Sequence, residues 1–478
     1  MTVPNQYLPD IPRRQFLQDA ALGLGSLGLS SQPNSSVLAS SESEQSVHFA
    51  PRAKRVIFLF MAGGPSQLEL LDHKPTLKRF HGTPIPENLI KNDRFAFIKG
   101  RPNLAASSFR FRRHGESGAE ISELLPQLAK VSDDIAIVRS LHTDAFNHDP
   151  AVMFLNSGST LTGRPALGAW LNYGLGSENQ QLPGFVVLAS GASEGPPVGY
   201  HHWTSGFLPT THQGVRFRSH GDPVLFASSP PGVTRKVRRQ TLDALRDLNK
   251  LQFESLGDPE IITRIKSFEL AFQMQVSVPE LTHLAQETDA TLQMYGAEVG
   301  QTSFANNCLL ARRMVERGVR FVQLYHRHWD HHGFNSTDQN VMHALPQRCR
   351  EIDRPAAALL TDLKQRGLLD ETLVVWGGEF GRTPMVQGTA SAMRLGRDHH
   401  PDAFSVWLAG GGIQPGITLG TTDDLGYHVA EDPVHVHDLH ATILHLMGID
   451  HLALTHRHQG RDFRLTDVAG EVVTKLIA

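Results

Sequence analysis

The sequence predicts an α/β protein with a mostly parallel central sheet. Three observations carry that expectation. Short apolar runs of strand length recur at Val56–Ala62, Ile135–Arg139, Gly184–Ala189, Val319–Tyr325, Thr372–Trp376 and Ala403–Ala409, and they are rich in β-branched residues. Long connections, several with helical spacing, separate them, so the order strand, connection, strand repeats along the chain. Residues with chemical capacity gather just past the run ends, where open α/β sheets build their sites.

The first run ends in Gly63-Gly64-Pro65-Ser66, a sharp turn with Ser66-Gln67 placed to open a helix. Residues 81–117 read as loop, and the basic, aromatic FRFRRHG at 109–115 reads as a solvated hairpin, with contact to an anionic substrate as the alternative. Ser122–Leu128 has helical spacing. After Ile135–Arg139 comes the turn LHTDAFNHDP, where Pro150 suits the first turn of a helix that ends at Gly158. A short helix is expected around Trp170. Residues 191–232 are irregular and rich in Gly, Pro and His, the character of a segment that covers a site or moves. Thr241–Leu256, Glu260–Val276 and Phe304–Arg317 are amphipathic, the last with Leu309, Leu310, Met314 and Val315 inside, a polar outer face and Gly318 as cap. Arg350–Arg366 is a helix capped by Gly367. The final long helix, within 434–449, places Leu439, Ile443, Leu446 and Met447 on one face with Asp438 as cap, which makes His440 and His445 structural.

Composition narrows the function classes. The 478 residues suffice for one large domain or two. A net charge of −3 gives no nucleic-acid footprint. Cys308 and Cys349 are the two cysteines, too few for a disulfide framework or a four-cysteine zinc site, and their pairing is open. The 26 histidines are the anomaly, and those beside carboxylates carry the chemical interest. Arg13-Arg14-Gln15-Phe16-Leu17 precedes a mild apolar run, Ala20–Leu29, and a Ser-rich stretch. That order reads as a twin-arginine export signal with cleavage near Val37-Leu38-Ala39; a disordered tail is the alternative. Residues 1–46 are then signal peptide and linker, residues 50–478 a single domain, and the protein periplasmic or otherwise exported. No later run is long and apolar enough for a membrane helix.

The chemistry concentrates in two segments. Asp330 and His332 lie two residues apart just past Val319–Tyr325, so one loop can aim a carboxylate and an imidazole at one ion. A third ligand must come from elsewhere. Glu379 follows Thr372–Trp376 and Gly377-Gly378, and Asp398-His399-His400 precedes Ala403–Ala409. The bland alternative is that Glu379 caps a helix and the histidines are surface residues.

GGPSQLELLDHKP, FNHDPAVMFLNSG, CLLARRMVERGVRFVQLYHRHWDHHGFN, WGGEFGRTP, GRDHHPDAFSVWLAGGGI and PVHVHDLHATILHLMGID together resemble the domain of unknown function 1501 family, exported bacterial proteins. The resemblance runs from about residue 50 to the end. That family is similar in turn to the alkaline phosphatase and sulfatase superfamily. The resemblance implies an alkaline phosphatase/sulfatase-like sheet with helices on both faces and metal at the strand ends. Position by position it is uneven. Gly63-Gly64 stand where sulfatases have two metal-binding aspartates, and His148 stands at the nucleophile position. Glu379 takes a carboxylate position, while Phe380 replaces a ligand histidine. Asp330, His332 and His399 match the position built from one Asp and two His.

The resemblance therefore implies an exported hydrolase-like protein acting on sulfate or phosphate esters, those of polysaccharides among them, through a metal-activated water. The ion would be divalent, zinc first, with calcium or manganese as the other candidates. Asp330, His332 and His399 would hold it, with Glu379 as fourth ligand or behind the ligands. His148 and Glu379 would be catalytic, and Arg382, Arg397 and Arg461 would grip an anionic ester or glycan. The rival reading is a non-catalytic relative that binds a glycan or a protein partner.

Overall fold

A computed structural model of the chain describes residues 47–90, 95–190, 198–218, 223–224, 229, 232–333, 339–387 and 395–478. The expected export signal lies outside the described residues. Among the described residues the main sheet has nine strands, β1 (Arg55–Met61), β2 (Ile135–His142), β3 (Phe185–Ser190), β4 (Val215–Arg216), β5 (Phe321–His326), β6 (Thr372–Gly377), β7 (Phe404–Ala409), β8 (Ile417–Leu419) and β9 (Val434–His435). Their order is β8-β2-β7-β6-β1-β5-β3-β4, with β9 also paired to β2. Every pairing is parallel except those of β7, which runs antiparallel to β2 and β6.

The central strand explains the layers. Side chains alternate across a strand. Ile57, Leu59 and Met61 enter one apolar cluster, and Val56, Phe58 and Phe60 enter another. A strand apolar on both faces must be covered twice. On the first face lie α5 (Phe304–Glu316) and α6 (Ala344–Gln365), through Leu309, Leu310, Met314, Leu345, Ile352 and Leu359. On the second lie α1 (His148–Ser157), α2 (Leu167–Leu175) and α7 (Val436–Leu446), through Val152, Leu155, Trp170, Leu439 and Ile443. Each fully buried residue of this kind contributes about 1.5–3 kcal/mol of transfer free energy, so truncating Phe60 to Ala should cost about 3–5 kcal/mol. Helices α3 (Arg235–Leu256) and α4 (Pro259–Thr282) pair with each other and bury few side chains.

Three expectations change. The segment from Ser122 is not a helix: Ala119–Ser122 closes a hairpin with Phe111–His114, and a 3-10 turn follows at Leu128–Asp134. Pro126 explains the break, because it removes a donor and pushes Leu125 away from helical backbone. Helix α5 has no polar outer face, since all its residues from Phe304 to Val315 are buried. Arg312 is covered by Glu287, Glu316 and Asp362, and Arg313 by Glu287 and the Leu281 carbonyl. Periodicity assigns an arginine to solvent; here Glu316 of the same helix and acids from other elements replace the water. Within 191–232, Val215–Arg216 adds a strand at the sheet edge, and further described residues form two 3-10 turns. Cys308 and Cys349 are both free and buried.

Candidate metal centre

The centre forms at the carboxyl edge of the sheet. β5 leads through His326 to Asp330 and His332, β6 leads to Glu379, and α1 starts at His148 shortly after β2. His399 comes just before β7, and because β7 is antiparallel its beginning lies at that same edge. Close backbone approach makes the arrangement possible. Gly63 has φ 121°, and a Cβ on it would stand 2.7 Å from the backbone nitrogens of Trp329 and Asp330. Gly64 has φ 64°, with the Phe380 ring 2.7 Å from where its Cβ would be. Glycine is required at both positions.

His148, Asp330, His332 and His399 each offer a ligand atom, and these atoms lie within 4.8 Å of one another. Around Asp330 Oδ1 stand His332 Nε2 at 2.7 Å, His148 Nε2 at 3.3 Å and His399 Nε2 at 3.4 Å. The other ring nitrogens are all engaged outward. His148 Nδ1 is 2.6 Å from Glu379 Oε1, His332 Nδ1 is 2.5 Å from Gln387 Oε1, and His399 Nδ1 is 2.7 Å from the Phe146 carbonyl. Those oxygens accept, so each Nδ1 donates, and each neutral imidazole keeps a lone pair on Nε2. Three Nε2 atoms thus face one carboxylate oxygen. Such a contact is repulsive unless a cation or a proton sits among them. His148 Nε2 and His399 Nε2 are buried and have no hydrogen-bond partner, which fits two donors waiting for an ion. The outer acceptors are the arrangement that fixes the tautomer of ligand histidines.

The electrostatics agree. Burial pushes the His148 imidazole down, but the carboxylates of Asp330 and then Glu379 beside it outweigh that and raise its pKa to about 9. In the ion's absence His148 therefore holds a proton. Burial likewise opposes the charge on Asp330, yet the Arg382 guanidinium and the three imidazoles hold its carboxyl well below the ordinary range. His399 is pushed down to about 4 by burial, against the pull of Asp330. One carboxylate, three inward-facing imidazoles and one displaceable proton suit a divalent ion with nitrogen and oxygen ligands.

The remaining residues singled out in the sequence fall as follows. Glu379 is fully buried, and Gly63 N–H donates to both of its oxygens at 2.9 and 3.1 Å. It stands behind His148, outside the four converging atoms. Arg382 and Arg397 lie inside the fold, 1% and 0% exposed. Arg382 donates to the carbonyls of Gly63, Gly64 and Arg397 and to Asp330 Oδ1. Arg397 pairs with Glu69 at 2.6 Å and donates to the carbonyls of Thr383 and Ala105. Arg461 is half exposed on a terminal hairpin, where it contacts Asp467 and the Phe463 ring. Sequence reasoning did not foresee His148 as part of this cluster, nor Gln387 and the Phe146 carbonyl as the outer partners of His332 and His399. The available signal was FNHDP, which starts a helix with a histidine at the strand edge.

A second group lies one residue away. Asp149 Oδ1 is 2.9 Å from His201 Nε2 and 3.4 Å from His202 Nε2. Here the tautomer is reversed: Gly199 N–H donates to His202 Nδ1 at 3.0 Å, so the neutral ring carries its proton on Nε2. His202 offers no lone pair toward Asp149. The group has three metal-type residues, but its His202 is held in the opposite tautomer to the histidines of the first.

The sequence profile of the family described as "Protein of unknown function (DUF1501)" matches residues 53–477, and the chain belongs to that family. No curated protein matches it significantly. Solved structures similar to it include a sulfatase from Pseudoalteromonas sp., 12% identical over 83% of this chain and 68% of that one, with a TM-score of 0.34. The alkaline phosphatase from the Antarctic bacterium TAB5 is 10% identical over 83% and 98%, with a TM-score of 0.30. The protein Ps i-CgsB in complex with k-i-k-neocarrahexaose is 10% identical over 83% and 72%, with a TM-score of 0.36. Likenesses of this size carry no functional reading.

Proposed function

We propose that this member of the DUF1501 family is a metal-dependent hydrolase of sulfate or phosphate esters. The observation that supports the reading is the convergence of three imidazole Nε2 atoms on one carboxylate oxygen, with every outer nitrogen tied. A bound divalent ion, zinc by its donor set, would polarise the ester and acidify a water. Asp330, His332, His399 and His148 would hold it. Glu379, Gln387 and the Phe146 carbonyl would orient the rings, and Arg382 would fix the Asp330 carboxylate. The opening to solvent is at Asp330 and His148, whose side chains are 21% and 14% exposed. In this reading Arg382 and Arg397 act from behind the site, and anion binding falls to the ion.

A second reading keeps the ion without the chemistry. Four protein donors can close a tetrahedral zinc site, as structural sites do, which would favour a non-catalytic binder of glycans or proteins. One experiment separates the two. Zinc-loaded protein is assayed on p-nitrophenyl phosphate and p-nitrophenyl sulfate, before and after chelation, beside Asp330→Ala. Hydrolysis lost on chelation and in the variant supports the enzyme; a tightly bound ion with no hydrolysis of either ester supports the binder.

Export is proposed on the sequence alone. Among the described residues no helix is long and apolar enough to cross a membrane. Changing Arg13 and Arg14 to Lys should leave the precursor in the cytoplasm; unchanged export would rule the twin-arginine route out.

A further inference from the structure

Phe97 is 52% exposed, yet it stands against the most enclosed part of the centre. Its ring lies 4.8 Å from His332 and 5.6 Å from His399, at 74° and 86° to them. Residues 95–100 belong to no helix or strand. A buried carboxylate holds it instead. Phe97 N–H and Ile98 N–H both donate to Asp398 Oδ2 at 2.8 Å, while His399 N–H donates to Asp398 Oδ1 at 2.8 Å. Burying a carboxylate is costly unless hydrogen bonds replace its water, and here three backbone donors do so. The residue that precedes a metal donor thus fixes the height of the Phe97 segment over that donor. Phe95 and Ile98 pack inward on a small apolar cluster. Phe97 does not, and core packing alone gives no reason for an exposed ring at that point.

We infer that Phe97 is the substrate wall of the centre: it stacks on the flat face of a ring in the alcohol part of the ester, and Asp398 positions it. An aromatic face beside a polar anchor is how sites select ring-bearing ligands. The inference rests on the hydrolase reading for the word ester, but the stacking itself is a binding property. The ligands it selects carry a ring with a flat apolar face, either an aryl group or a pyranose.

The test uses the zinc-loaded full chain and Phe97→Ala, with calorimetric binding of p-nitrophenyl sulfate, methyl glucoside 6-sulfate and ethyl sulfate, and hydrolysis of the same three. Zinc content should be unchanged. Binding of the two ring esters should weaken about tenfold with ethyl sulfate unaffected, the loss falling on KM rather than kcat, and Phe97→Tyr should restore it. Weakening confined to one ring ester identifies which ring the wall serves. Ring-ester binding with no hydrolysis by the native chain would end the hydrolase reading and leave the wall standing. Equal weakening for ethyl sulfate, no weakening at all, loss of zinc in Phe97→Ala, or no ring-ester binding by the native chain would each overturn the wall.

Discussion

Two neighbouring histidine clusters, one residue apart in the chain at His148 and Asp149, look alike by composition and differ in where their protons sit. In the first, a carboxylate, an amide oxygen and a backbone carbonyl each take an Nδ1–H, so three Nε2 atoms are left to face Asp330. In the second, a backbone N–H donates to His202 Nδ1, so Nε2 carries hydrogen. The same residue types therefore face a shared oxygen with their outer nitrogens tied in one place, while in the other His202 turns its Nε2–H toward the carboxylate. A third cluster shows the bland limit: His437 and His440 spend Nε2 on the carbonyls of Gly158 and Leu155 and serve α1 and α7 packing. What surrounds a histidine decides its role more than its closeness to other histidines.

That contrast can be broken by removing donors in order of rank. Asp330→Ala or His332→Ala should lower zinc affinity by well over about 100-fold, more than loss of an outer partner costs; competition titration against a chromophoric chelator measures it. Glu379→Gln keeps the shape behind His148 but weakens its acceptor, and affinity should fall about 10-fold to 100-fold in the same titration.

The pH dependence has a definite sign. His148 is raised above its ordinary 6.5 to about 9 by Asp330 and Glu379 in the ion-free protein. Its pairing therefore stabilises the ion-free fold fully below about pH 6.5, and that contribution is lost as pH rises through about 9. An ion must displace that proton, so zinc affinity should rise about tenfold per pH unit between about pH 7 and 9, with about one proton released. Calorimetry in buffers of different ionisation enthalpy counts the proton; release of none would mean that His148 is not a ligand.

The smallest effects on the ion belong to the other clusters. His201→Ala with His202→Ala should leave zinc affinity within about twofold, below the cost of an outer partner. His440→Ala should leave the ion untouched while costing about 1–3 kcal/mol of stability, because the Leu155 carbonyl loses its buried donor; urea unfolding reads that out.

Much of the fold was legible in the sequence because the strands are short apolar runs, and Val56–Ala62, Thr372–Trp376 and Ala403–Ala409 each mark a strand to within a residue or so. Helix α5 was misread on its outer face because Arg312 and Arg313 are neutralised by acids distant in sequence. The site was legible in part. Asp330, His332 and His399 do lie together, since loops at strand ends converge on one sheet edge. His148 drew notice at the nucleophile position that the family resemblance implies, but its place in the cluster depends on Glu379 behind it, 231 positions away. Arg382 and Arg397 look like anion grips in a sequence; their burial and internal carbonyl partners are tertiary facts with no local signal.

The central claim is that the proton arrangement around His148, His332 and His399 makes a one-ion site. Zinc content of purified, folded protein by inductively coupled plasma mass spectrometry tests it most directly. The native chain and the His201→Ala, His202→Ala double variant should each carry one ion, and His399→Ala should carry close to none. A native chain without a bound divalent ion after zinc loading, or ions lost from the double variant and kept by His399→Ala, would contradict it.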